Sequence, residues 1–197
     1  VRSSAGREFT TIGSLLLVSP PVIPMSVDSS EVANLTSTAA ARILFVSGEN
    51  NETVLDGFTI RNPGGRGIYC LNSSPIIQNC DINGCFSGVD GGGIWCENSS
   101  AIIRDNLIHD NTSCITGGAV GGKGAVSLEI CGNTIYNNTA PHGAGIGFVY
   151  PTEAVNIHHN VVHHNVTESD ITQGSVYVNG VNSKIINNTV VGNTSGI

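Results

Sequence analysis

The phrase I-x-x-N-x-I-x-x-N constrains this chain more than any other feature. It runs through Ile103, Asn106, Ile108 and Asn111, and again through Ile130, Asn133, Ile135 and Asn138. Ile157, Asn160, Val162 and Asn165 carry a third copy, and Ile185, Asn188, Val190 and Asn193 a fourth. Degenerate copies precede these at Ile77, Cys80, Ile82 and Cys85, and at Leu55, Phe58, Ile60 and Pro63. Successive copies start 22, 26, 27, 27 and 28 residues apart. A period this steady marks a repeat architecture, in which one unit buries its apolar face only against a neighbour above or below.

A second phrase keeps step with the first. Ile68 in "GIYC", Ile94 in "GIWC", Val120 in "GAVGG", Ile146 in "GIGFV" and Val176 in "SVYV" each stand nine to eleven residues ahead of the isoleucine that opens the asparagine phrase. Each repeat therefore reads as three short β runs separated by turn residues. Asn, Gly and β-branched residues are poor helix material and the apolar period within each run is two, which sets an α-helical solenoid aside.

The expected fold is all-β, a single-stranded parallel β-helix over residues 43–197 with about six coils of 22–28 residues. "ARILFVSG" at 41–48 supplies the first strand, and 1–42, interrupted by Pro20 and Pro21, reads as an irregular cap or linker. Equivalent strands pair in parallel about 4.8 Å apart. Ile and Val then stack into inward columns, and Asn106, Asn133, Asn160 and Asn188 form an amide ladder that satisfies the turn backbone. The chain opens on Val1, and Gly196 and Ile197 stand where a further strand begins, so the solenoid is expected to continue in a longer protein.

The stretches "GGGIWCENSSAIIRDNLIHDN", "GIYCLNSSPIIQNC" and "TVLDGFTIRN" resemble the repeats of right-handed, pectate-lyase-like parallel β-helices, over about residues 43–197. That group includes polysaccharide lyases, glycoside hydrolases, uronan epimerases and surface proteins. "GGAV" at 117–120 and "FTIRN" at 58–62 are also similar to repeat motifs of polymorphic outer-membrane adhesins. The resemblance implies a fold, and one fold hosts many functions. For the enzymes among these relatives it implies a substrate on the first sheet and, for the lyases, calcium as a cofactor. Such a calcium site needs clustered carboxylates with a basic residue, whereas Asp81, Asp90, Glu97 and Lys123 form no recognisable motif. The closely placed aspartates of a hydrolase are missing as well.

Side chains alternate along a strand. With Ile68, Ile94 and Val120 inward, Trp95 points out, and Tyr69 and Tyr177 hold the same outward position on other coils, with Gly121 and Gly147 between. Glu97, Lys123 and Asn179 follow one step along that face, and Asp90 precedes it. Exposed aromatics beside polar groups form a sugar-stacking platform, so Tyr69, Trp95, Glu97, Lys123, Tyr177 and Asn179 are the candidate substrate-binding residues for a polysaccharide or glycan. Variable loops at 86–91, 112–118, 139–143 and 166–174 wall that sheet. The alternative is that the rings simply cover the sheet glycines.

A second outward column holds His109, Tyr136 and His163, beside Asp110, Asn137 and His164. These three are candidate acid–base residues, although no carboxylate pair is read beside them and a solvated surface is the competing account. "HHNVVHH" at 158–164 places four imidazoles within seven residues. The strand–turn–strand reading separates them, and no metal is assigned. The repeat accounts for most of the six cysteines. Cys70 and Cys96 take the same inward position of adjacent coils, where spacing allows a disulfide and parallel side-chain directions oppose it. Cys80 and Cys85 fill asparagine positions.

A net charge of −7 and eight scattered Lys and Arg exclude the clustered basic face of a nucleic-acid binder. No apolar run approaches the roughly 18 residues needed to span a bilayer. With 12% charged residues and abundant Gly, Asn, Ser and Thr, the composition suits a secreted or cell-surface module. N-x-S/T sequons at Asn34, Asn51, Asn72, Asn98, Asn111 and Asn165 open glycosylation in a secreting eukaryote. Two expectations remain: an exported β-helix that binds, or also processes, polysaccharide, and a noncatalytic adhesin-like solenoid.

Overall fold

A computed structural model describes residues 16–17, 33–36, 43–46, 51, 53–62, 64–124, 126–168, 174–180 and 182–194. Every strand in it pairs in parallel with the equivalent strand one coil away. The first sheet stacks Ile43–Val46, Ile68–Leu71, Ile94–Glu97, Val120–Gly124, Ile146–Pro151 and Val176–Asn179. The second runs from Val54–Asp56 to Lys184–Ile186 and the third from Ala33–Thr36 to Thr189–Val191. Leu16–Leu17 adds to the first sheet beside Ile43–Val46, and Ala33–Thr36 pairs with Phe58–Arg61. The rest of the segment 1–42 lies outside the described residues, as do 169–173 of the fourth expected loop and Gly196 and Ile197.

The chain is the expected parallel solenoid, with one correction to the coil. Each repeat was expected to hold three strands, but four coils carry a fourth: Phe86–Ser87, Thr112–Ser113, Thr139–Ala140 and Val166–Thr167. These pairs turn Ser87, Ser113, Ala140 and Thr167 inward, so they show no apolar signature. Their hydroxyls have work at the next bend, where Ser87 donates to the Asp90 carbonyl at 2.9 Å and Ser113 to that of Thr116 at 3.0 Å. Among the described residues, four complete four-strand coils therefore lie between coils with strands in three sheets.

The core is built from register. Ile77, Ile103, Ile130 and Ile157 align on the second sheet and Ile82, Ile108, Ile135 and Val162 on the third, all buried. Full burial of one such side chain is worth about 1.5–3 kcal/mol. In the first sheet Phe45, Cys70, Cys96, Gly122 and Phe148 share a column. A Cβ on Gly122 would lie 2.7 Å from the Phe148 ring, so the glycine makes room for the aromatic. Cys70 and Cys96 are register partners, both buried and not joined by a disulfide.

Two amide ladders close the corners. Asn106, Asn133, Asn160 and Asn188 stack between the second and third sheets, each Nδ2 donating to the next Oδ1 at 2.9–3.0 Å. Asn111, Asn138, Asn165 and Asn193 repeat the arrangement between the third and fourth. Each Nδ2 also takes a backbone carbonyl of the preceding coil, as Asn133 does with Ile103 at 2.9 Å. Cys80 and Cys85 stand at the heads of these ladders, their N–H groups donating to Asn106 and Asn111. Burial pushes the two thiols up to about 11 and about 12. Asn111 and Asn165 are 0% exposed, so their sequons are closed to glycosylation in the folded protein.

The residue before each ladder amide adopts left-handed backbone: Asp105, Gly132, His159 and Asn187 at the first corner, Asp110, Asn137, His164 and Gly192 at the second. Such a bend turns the amide inward between two strands. Asn, Asp and Gly tolerate it readily, and a bulky residue does so under strain.

Candidate functional site

Outward side chains of the first sheet and the loops leading into its strands enclose an open groove of about 600 Å³. Its lining includes Trp95, Glu97, Lys123, Tyr177 and Asn179, five of the six residues the sequence puts forward as ligand contacts, together with Asp90, Thr116, His142 and Tyr150. Register brings them together, because Trp95 pairs with Gly121, Glu97 with Lys123 and Val149 with Asn179. Tyr69, the sixth, is Trp95's partner on the preceding coil. It acts through a neighbour, its hydroxyl donating to Glu97 Oε2 at 3.0 Å, while Lys123 Nζ lies 3.5 Å from Glu97 Oε1. Glu97 is held from both sides.

Trp95 departs from expectation. It points away from the axis, yet it is only 2% exposed. A Cβ on Gly121 would come within 2.8 Å of Trp95 Cζ3, and one on Gly91 within 2.5 Å of Trp95 Cβ. The indole thus lies across the glycine of the next coil, and the Arg66 guanidinium sits over it, 5.8 Å from the ring centroid and 5.1 Å from that of Tyr69. Arg66 is held there by a 2.7 Å bond from its Nε to the Asp90 carbonyl. Trp95 covers a glycine and forms the groove floor. The exposed aromatic file is therefore shorter than strand alternation alone indicates.

The aromatic that the sequence reading missed is Tyr150. Lys123 pairs with Val149 but Gly124 pairs with Pro151, so Tyr150 is an extra residue bulged out of the ladder. It has left-handed backbone, φ 50°, and is 72% exposed at the groove. A bulge re-aims a side chain, and a bulky residue held in this region is strained. The only sequence signal was length, since Ile146 to Ile157 is one residue longer than Val120 to Ile130.

Two groove groups have the chemistry of proton transfer. Burial holds the Asp90 carboxyl above the usual carboxylate range, against the pull of Arg66 and Lys123. His142 Nδ1 is buried with no hydrogen-bond partner. Calcium does not fit this groove, because it takes six to eight oxygens and the lining offers two carboxylates, one of them already bound by Tyr69 and Lys123.

His109, Tyr136 and His163 do form a column, with ring centroids 4.7 and 5.1 Å apart and planes within 2° and 5° of parallel. Here too there is a correction, since carboxylates flank it. His109 Nδ1 lies 2.6 Å from Asp110 Oδ2 and Nε2 lies 3.0 Å from Asp81 Oδ1. Asp81 reaches across from the preceding coil. Both ring nitrogens of His109 thus face a carboxylate oxygen, and carboxylates accept, so the two bonds form together only on a doubly protonated ring. Desolvation, then Asp110 and Asp81, raises the Tyr136 phenol.

Fold and groove together define a class: a parallel β-solenoid carrying a mixed polar and aromatic trough across one sheet. A family model for the right handed beta helix region matches residues 42–197, and the chain belongs to that family. No curated protein and no solved structure matches it. Among the described residues, no helix is long and apolar enough to cross a membrane.

Proposed function

We propose that this is an exported module that binds polysaccharide along the first-sheet groove. The observation that carries it is Tyr150, strained and exposed at one wall, in the same groove as Tyr177 and the polar row Glu97, Lys123 and Asn179. A pyranose ring offers a C–H face to an aromatic ring and hydroxyls to flanking donors and acceptors, and the trough supplies both along successive coils about 4.8 Å apart. Export suits the composition. Processing of the bound chain would draw on Asp90 as the carboxyl with raised proton affinity and on the unpartnered Nδ1 of His142, two coils along the same groove.

The test is affinity electrophoresis and a glycan array on wild type, Tyr150→Ala, Tyr177→Ala and Trp95→Phe, with circular dichroism to confirm the β-fold. Retention on at least one polymer, reduced roughly tenfold or more by Tyr150→Ala and Tyr177→Ala, is the expected result. Absence of retention on every acidic and neutral polymer sinks the proposal and leaves an adhesin-like structural solenoid.

A further inference from the structure

The outward face of the second sheet carries a donor cluster far from the groove in chemistry. Glu129 and Cys131 alternate with buried Leu128 and Ile130 on strand Leu128–Cys131, so they share one face. His158 is the register partner of Cys131 on strand Val155–His158. Glu129 Oε1 lies 3.9 Å from Cys131 Sγ and 3.5 Å from His158 Nε2, and one donor atom from each residue lies within 4.8 Å of the others. Donors around a tetrahedral zinc ion, at bond lengths of about 2.0–2.3 Å, stand about 3.3–3.7 Å apart. A small rotation of the exposed Glu129 side chain, with slight adjustment of the half-buried Cys131 and His158, closes the difference.

The second nitrogen of His158 adds an independent pointer. His158 Nδ1 lies 2.9 Å from His159 Nδ1, with the two rings edge to face. One proton serves that contact. With it on His158, Nε2 faces the Glu129 carboxylate with a lone pair, the form that ligates a metal; with it on His159, Nε2–H donates to Glu129 instead. An outer partner on the distal nitrogen is the usual way a metal-bound imidazole is oriented. His159 is kept at that corner in left-handed backbone, φ 56°.

We propose that Glu129, Cys131 and His158 bind a zinc-class divalent transition ion, with His159 as the positioning residue and the fourth coordination place open to solvent or to a ligand. Thiolate with imidazole selects such an ion over calcium or magnesium, which prefer oxygen alone. Beside Glu129, His158 and His159 lies a hollow of about 330 Å³ that Asn156, Lys184 and Ile186 also line. Three ligands with a free position are the pattern of a reactive site, whereas a structural site is closed by four. Standard metal motifs miss this set because its members are separated by one strand residue and one coil.

The experiment uses tag-free protein, chelated and reduced, titrated with cobalt(II) and then zinc(II). Wild type is expected to develop a thiolate-to-cobalt charge-transfer absorption that saturates at about one ion per chain and is displaced by zinc. Cys131→Ser should abolish that band with the β-sheet dichroism unchanged. Glu129→Gln and His158→Gln should each weaken zinc binding by about 100-fold or more, and His159→Gly by about 10- to 100-fold. Cys114→Ser, an exposed thiol elsewhere, should change nothing. No band in wild type, or a band that survives Cys131→Ser, overturns the proposal. So does binding lost only in His163→Gln or His164→Gln, whose rings form a similar pair with Nδ1 atoms 2.8 Å apart.

Discussion

The ladder corners and the first-sheet groove are built on the same repeat, yet they obey opposite rules. At the corners, position after position is occupied by the same residue: Asn111, Asn138, Asn165 and Asn193 make the same bond in four successive coils. Along the groove, the equivalent position reads Tyr69, Trp95, Gly121, Gly147 and Tyr177. Repetition satisfies backbone groups that recur in each coil. Variation at a fixed register shapes one particular surface.

That contrast is breakable by substitution. Asn138 accepts from Asn111 N and Nδ2 and donates to Ile108 O, Tyr136 O and Asn165 Oδ1. Asn138→Ala orphans several of these buried partners, and the expected loss is about 3 kcal/mol, read from the urea midpoint. A loss under 1 kcal/mol would show that water replaces the amide. Gly121→Ala is the groove counterpart: its Cβ meets Gly147 O and Trp95 Cζ3, each at 2.8 Å. About 1–3 kcal/mol of overpacking is expected, together with a shift in the emission of the single tryptophan. An unchanged spectrum would mean that Trp95 does not lie on the glycine.

Smaller effects sharpen the comparison. His164 holds left-handed backbone at a corner where Asn137 and Asp110 stand in other coils, so His164→Asn should stabilise by about 0.5–1 kcal/mol. A destabilised variant would assign the His163–His164 pair a structural role. The smallest effect is a pH slope. Because burial raises the Asp90 carboxyl in the folded protein, its own contribution to stability is fully present below the unfolded value of 3.8 and is lost as pH rises through the folded value. Asp90→Asn should flatten that slope and melt above wild type at neutral pH; a melt below wild type refutes the assignment.

The same division explains how much could be read from the sequence. Repeated positions announced themselves, so the parallel solenoid, the inward Ile and Val columns and the first amide ladder were all legible. The two-residue fourth strands were not, because Ser113 and Ala140 carry no apolar period. Strand alternation placed Trp95 on the outer face correctly, but it is silent on what lies over that face, and Arg66 arrives from a turn a coil away. Tyr150 escaped because one inserted residue shows in the sequence only as spacing. Asp81 beside His109 escaped for the same reason as Arg66: a diagonal reach between coils has no sequence period.

The direction of the amide ladders has a mechanical consequence. Asn106 gives its backbone N–H to Asn133, Asn133 to Asn160 and Asn160 to Asn188, always toward the following coil. Each coil is thus latched by its successor, and tension applied at the C-terminal end meets one latch at a time. Releasing a coil of 27 residues frees about 90 Å of chain. Stretched singly between two beads, the molecule should lengthen as a staircase of nearly equal treads, the behaviour of a tether that yields gradually under load.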